Sequence, residues 1–206
     1  MDAMTILNYA IIIGFLVMSL SFHEFAHAYV AYLRGDMTPK LAGRLTLNPI
    51  NHIDPIGLLV LLVTRRIGWM KPVPINMYGL KEPRRISIIL VALAGPVANI
   101  ILSFFFFFLV KIFAFSPFWA NIFLQVSMIN LFLAAFNLFF LPPLDGYRIL
   151  ASLAFENPED LFANHTVEMY GSMFLMLVIF IFPSILNKWV EIIVSPVWNL
   201  MLKLFY

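Results

Sequence analysis

The stretch from Met4 to Leu33 is long and apolar enough to cross a bilayer, and its only charged or imidazole side chains fall in one pentapeptide, His23-Glu24-Phe25-Ala26-His27. A segment in hydrocarbon must pair its own backbone polar groups, so this run is expected to be a helix. Residues four apart on a helix share a face, so His23 and His27 can offer their imidazoles to one metal ion while Glu24, one step round, faces the ion's open position. The H-E-x-x-H spacing is the arrangement of a zinc hydrolase. The bland alternatives are a chance match or a satisfied polar cluster in a helix core. Burial in hydrocarbon weighs against both, because three ionisable groups within five residues are costly there unless they pair, bind an ion or face a polar cavity.

Composition sets the class. Of 206 residues, 62% are hydrophobic and 12% charged, about half the charged fraction of a soluble domain, so the chain is expected to be a single-domain, all-α polytopic protein of the cell membrane. It contains no cysteine, which excludes thiolate ligands and leaves His, Asp and Glu to hold any metal. A net charge of +2 is too small to suggest nucleic acid as a partner. The first apolar run lacks a preceding Lys or Arg and is too long for a cleaved signal, so it reads as a retained span.

Apolar stretches at about 5–33, 86–115, 119–141 and 170–186 read as crossings. The segment 56–64 is too short to cross and reads as re-entrant or buried at the interface. The segment 189–206 either crosses or lies along the surface, giving about four to six spans in all. Phe104 to Phe108 cover every face of a helix and read as lipid-facing or packing bulk. Nine of the thirteen Lys and Arg residues, namely Arg34, Lys40, Arg44, Arg65, Arg66, Lys71, Lys81, Arg84 and Arg85, lie in 34–85. That excess places 34–85 in the cytoplasm and the N-terminus outside.

Three polar positions then converge on the inner half of the bilayer. His27 lies seven residues before Arg34, about 10 Å deep at the helical rise. Asn99 lies at a similar depth in the next crossing. Asp145 follows Leu141-Pro142-Pro143-Leu144 and precedes Gly146, so it is presented at a helix break. Alone, Asp145 reads as an interfacial turn residue; beside H-E-x-x-H it reads as the carboxylate that completes a His₂-carboxylate site with one open position. Asn99 and Asn137 are candidates to bind a substrate carbonyl or an oxyanion, and equally candidates for hydrogen bonding between helices.

The segments S-F-H-E-F-A-H-A at 21–28, G-R-L-T-L-N-P-I-N-H-I-D-P-I-G at 43–57, K-P-V-P-I-N at 71–76, A-L-A-G-P-V-A-N at 92–99 and F-N-L-F-F-L-P-P-L-D-G at 136–146 resemble, in this order, the site-2 protease family of intramembrane zinc metalloproteases. The resemblance implies one zinc ion per chain held by His23, His27 and Asp145, Glu24 as the catalytic acid/base, and transmembrane or membrane-adjacent peptides as substrates. It also implies a small β-structured element within 41–75 that could receive an unwound substrate as an added strand. Phe140 stands where the family's last motif carries a proline, so the local geometry before Asp145 is expected to differ.

No gap between the motifs holds a PDZ domain, and the chain is expected to be a short bacterial or archaeal type of member with neither PDZ nor CBS domain. The bilayer and a membrane-protein substrate are the expected partners, and a homo-oligomer is compatible with the sequence. His52 and His165 are left outside the metal site, in loops where turn or solvated roles are commoner. The alternative from another class is a transporter or ion and proton relay built on the same buried His, Glu and Asp residues; it predicts metal flux and places no demand on Glu24.

Overall fold

The computed structural model describes residues 2–64, 68–162 and 165–205; Arg65 and Arg66, counted in the charge argument, lie outside them. The described chain is helical: α1 Ala3–Leu33, α2 Thr38–Leu41, α3 Pro55–Thr64, α4 Arg84–Ile112, α5 Pro117–Asn137, α6 Asp145–Ala154, α7 Pro158–Phe162, α8 His165–Ile181 and α9 Pro183–Phe205. Helices α1, α4 and α5 are each long and apolar enough to cross a membrane. Helices α8 and α9 meet at a 94° bend and count as a fourth span if the pair is taken as one, which puts the chain at three or four spans.

Local chemistry fixes the ends. Asp2 caps α1 by accepting from the Thr5 amide at 2.8 Å. At the other end Gly35 adopts φ +102°, open to glycine, as the chain leaves the helix. Pro117 occupies the first turn of α5, where its missing N–H costs nothing. Helix α5 stops at Asn137, four residues short of the apolar limit at Leu141; Leu138 caps it, and Pro142 and Pro143, with no N–H, keep the helix from resuming before Asp145.

Helix α4 is the central element, packed against α1, α5 and α6, while α9 lies against α5. The phenylalanine run divides: Phe106 and Phe107 are buried against α5 and α9 neighbours, whereas Phe105 and Phe108 are exposed. Ser103 of α4 and Ser127 of α5 each donate to the other's backbone carbonyl at 2.9 Å, a reciprocal clasp in the middle of the bundle. Trp189 of α9 donates to the Ala135 carbonyl at 2.9 Å.

The segment between α1 and α4 departs from expectation. Residues 55–64 form the short helix α3, and among the described residues there is no strand, only an antiparallel bridge between Ile53 and Met70. The Lys71 amide donates to the His52 carbonyl at 2.8 Å, and there the ladder stops because the next donor on that side, the Val73 amide, bonds Glu24 Oε2 instead. Arg44, almost fully buried, ties the loop together through the carbonyls of Asn51 and Lys71.

In a double-mutant cycle of Ser103→Ala and Ser127→Ala, unfolding in detergent should give a coupling of about 0.6 kcal/mol, the usual size for an interhelical hydrogen bond in a membrane protein. Additive single losses would show that the clasp contributes packing alone.

Candidate metal centre

His23 and His27 project from one face of α1 with their Nε2 atoms 3.0 Å apart. Asp145, the first residue of α6, brings Oδ2 to 3.5 Å from His23 Nε2 and 3.3 Å from His27 Nε2. All three side chains are buried. Ligand atoms 2.0–2.2 Å from a tetrahedral ion stand roughly 3.3–3.6 Å apart; the two edges to Asp145 fall in that range, and the 3.0 Å edge between the imidazoles is shorter, so a small separation of the rings would seat one such ion.

The far side of each ring settles which atoms face inward. His27 Nδ1 lies 2.7 Å from the Val91 carbonyl, which can only accept, so that nitrogen carries the proton. His23 Nδ1 lies 2.6 Å from Asn99 Oδ1, and Asn99 Nδ2 donates elsewhere, to Asn130 at 3.0 Å, so His23 Nδ1 also donates. With both rings neutral, as metal ligation requires, these bonds put the lone pairs on Nε2, facing each other and Asp145 Oδ2, which has no hydrogen-bond partner. A proton could satisfy one pair among these three acceptors. A metal ion satisfies all three at once, and the donor set is one that holds zinc.

Helix α4 supplies the backing. Val91, Gly95 and Asn99 lie at four-residue intervals on one face and offer, in turn, a carbonyl, an open space and an amide. A Cβ at Gly95 would stand 2.3 Å from His27 Nε2 and 2.6 Å from His23 Nε2, so only glycine lets α4 pass this close to the rings. Gly95 is a close-packing residue whose partners are imidazoles rather than backbone. Asp145 is held by a similar device: a Cβ at Gly146 would meet the Leu138 carbonyl oxygen at 2.1 Å, so α6 begins directly against the end of α5. Arg85 of α4 grips the far end of α6 through the Ser152 and Leu153 carbonyls.

Glu24 lines a cleft of about 110 Å³ together with His23, His27, Val73, Asn137 and Arg148. Its Oε2 accepts from the Val73 amide at 3.0 Å, which fixes the carboxylate against the extended segment after α3. Asn137 reaches the same cleft while Nδ2 donates one hydrogen to the Leu133 carbonyl at 2.9 Å. Asn99 is fully buried behind His23 and lies outside the cleft lining. His52 bonds the Thr46 carbonyl at 2.8 Å and takes no part in the metal-binding group.

The cleft shares His23, Glu24, Asn137 and Pro143 with a neighbouring space of about 410 Å³. That space shares Leu20, Gly68 and Leu133 with an apolar groove of about 330 Å³ between α1 and α5. The Val73 amide and the Val91 carbonyl were invisible to the sequence, since every residue has these groups. Asn130 was legible as an amide inside an apolar helix, the kind of residue that marks a polar contact in a bilayer.

No family model matches the sequence, and no solved structure matches the chain. Among curated proteins, the chain is 45% identical over 178 residues to one named "Putative zinc metalloprotease YwhC" of Bacillus subtilis, covering 82% of this chain and 78% of that one. It is 34% identical to "Putative zinc metalloprotease Rip2" of Mycolicibacterium smegmatis, over 88% of this chain and 70% of that one. The protein of the same name from Mycobacterium tuberculosis is 32% identical over 87% of this chain and 69% of its own length. Identity of this extent, over a chain whose helices gather two histidines and an aspartate into one buried group, shows that the protein belongs to the site-2 protease-like family of zinc metalloproteases.

Proposed function

We propose that the chain is an intramembrane zinc endopeptidase that hydrolyses peptide bonds of transmembrane or membrane-adjacent polypeptides. The observation that carries this reading is the facing of three unprotonated acceptors, His23 Nε2, His27 Nε2 and Asp145 Oδ2, beside a cleft that Glu24 also lines. His23, His27 and Asp145 hold the ion, which when bound supplies Lewis acidity toward a carbonyl and lowers the pKa of water. Glu24 takes a proton from the attacking water and returns it to the leaving amine as the C–N bond breaks. Before substrate arrives, the Val73 amide keeps the Glu24 carboxylate at the cleft. Asn137, with one amide hydrogen not used by Leu133, is placed to donate to the oxygen that gains negative charge. Asn99 acts through His23, holding its ring.

Substrate access fits the same picture. The apolar groove between α1 and α5 joins the metal cleft through an intermediate space, giving an apolar segment a route that starts among bilayer-compatible side chains and ends at polar ones. A helical substrate must unwind there, because its carbonyls are already paired. The basic excess in 34–85 supports a cytoplasmic loop side and, with it, a cleft in the cytoplasmic half of the membrane.

Purified His23→Ala, His27→Ala and Asp145→Ala variants should each lose zinc, measured by metal analysis, whereas Glu24→Gln should keep it and lose cleavage of a membrane peptide. Asn137→Ala should keep zinc and lower kcat by about two to three orders of magnitude. Full zinc in the Asp145 variant, or cleavage by Glu24→Gln, contradicts the assignment, and metal flux in vesicles from the wild type would point to a transporter instead.

Gly95→Ala should fold yet bind zinc much more weakly, since the added methyl must displace the two rings. Normal zinc content in that variant would mean that α4 can shift without disturbing the site.

For topology, a cysteine replacing the exposed Lys81 in this cysteine-free chain should react with a membrane-impermeant maleimide only from the cytoplasmic side. Labelling from outside would move the cleft to the opposite leaflet.

A further inference from the structure

Behind the metal-facing side of His23 runs a chain of side-chain hydrogen bonds that crosses three helices. Asn130 of α5 is fully buried, and its Nδ2 donates to the Val126 carbonyl at 2.9 Å and to Ser19 Oγ of α1 at 3.0 Å. A carbonyl can only accept, so the nitrogen end of Asn130 must face Val126, and the oxygen end is left for Asn99. Asn99 Nδ2 donates to that oxygen at 3.0 Å, which turns Asn99 Oδ1 toward His23 Nδ1 at 2.6 Å. Each amide is thus oriented by the one behind it. Were Asn99 reversed, its NH₂ would face His23 Nδ1, that nitrogen would have to accept, and the ring proton would move to Nε2, where the metal belongs.

We propose that Asn130, buttressed by Ser19, is a positioning residue for the metal centre: it locks the Asn99 amide so that His23 keeps its proton on Nδ1 and its lone pair on Nε2. The proposal rests on reading the His23, His27 and Asp145 group as a zinc site. It assigns to Asn130 of α5 a part in metal binding that reaches His23 through Asn99 of α4. His27 needs no such lock, because the Val91 carbonyl cannot be reversed. The asymmetry explains why a second buried asparagine stands behind one histidine and not behind the other.

The test uses the full chain in detergent, with zinc affinity measured by competition against a chromophoric chelator. Asn130→Leu should weaken zinc binding about 10- to 100-fold, the usual cost of losing an outer hydrogen bond to a metal ligand. In an Asn99→Asp background, where a carboxylate accepts from His23 whichever way it is turned, Asn130→Leu should cause no further loss. A residue that only supports packing would weaken binding by the same factor in both backgrounds, and that result overturns the proposal, as does unchanged affinity in the single variant. If Asn130→Leu does not fold, Asn130→Ala decides by the same comparison: it removes the side-chain oxygen that holds Asn99 and should lower affinity in the parent background alone; an equal loss in both, or none in either, overturns the proposal. A wild-type protein that takes up no zinc defeats the zinc-site reading itself, a failure distinct from that of Asn130.

Discussion

Lone pairs that face each other in a dry interior repel, and the bundle is arranged around that repulsion. Two imidazole nitrogens and a carboxylate oxygen stand within 3.5 Å of one another with their protons committed elsewhere. Such a cluster is costly in hydrocarbon unless a proton is shared within it or a cation sits at its centre. The demand propagates outward. Helix α4 must carry a glycine at 95 to come close enough, an accepting carbonyl at 91 and an amide at 99 to hold the rings. The chain between α5 and α6 must break so that Asp145 can open a new helix, where the positive end of the helix dipole favours its negative charge.

The break illustrates how far local rules reach. Pro142 and Pro143 announced that α5 would end, but the restriction before a proline reaches back only to Leu141, so the end at Asn137 was not legible from them. The replacement of the family proline by Phe140 does not restore the helix, since the later prolines suffice. Gly146 then allows α6 to begin in contact with the Leu138 carbonyl, so the turn is tight enough to return Asp145 to the level of His23 and His27. Sequence supplied both the break and the carboxylate. Only the packed structure supplies the return.

What was legible follows from where the information resides. The spans of α1, α4 and α5 are carried by composition, and the pairing of His23 with His27 by helical period, so both could be read from the chain. The β-structured element that the resemblance implied within 41–75 is reduced to the Ile53–Met70 bridge, because the Val73 amide that a further ladder position would use is taken by Glu24. Asn99 could be read as an amide at the right depth but not as one already shared between His23 and Asn130, since that depends on how three helices meet. The bend between α8 and α9 lay within two apolar stretches that composition alone could count as one span or two.

The extended segment that failed to become a strand has its own consequence for the cleft. Its Val73 amide has no ladder to join and is satisfied by Glu24, so the residue proposed to move the proton is held by backbone that belongs to no regular element. Such a tie can be given up at low cost. An arriving backbone carbonyl could take the Val73 N–H from Glu24 at the moment Glu24 is needed by water, exchanging one hydrogen bond for another without leaving a buried donor unpaired. The prolines on either side keep the neighbouring positions without donors, so the exchange is confined to one amide, directly beside the catalytic carboxylate on the proposed reading. Substrate binding and the release of Glu24 would then be a single event.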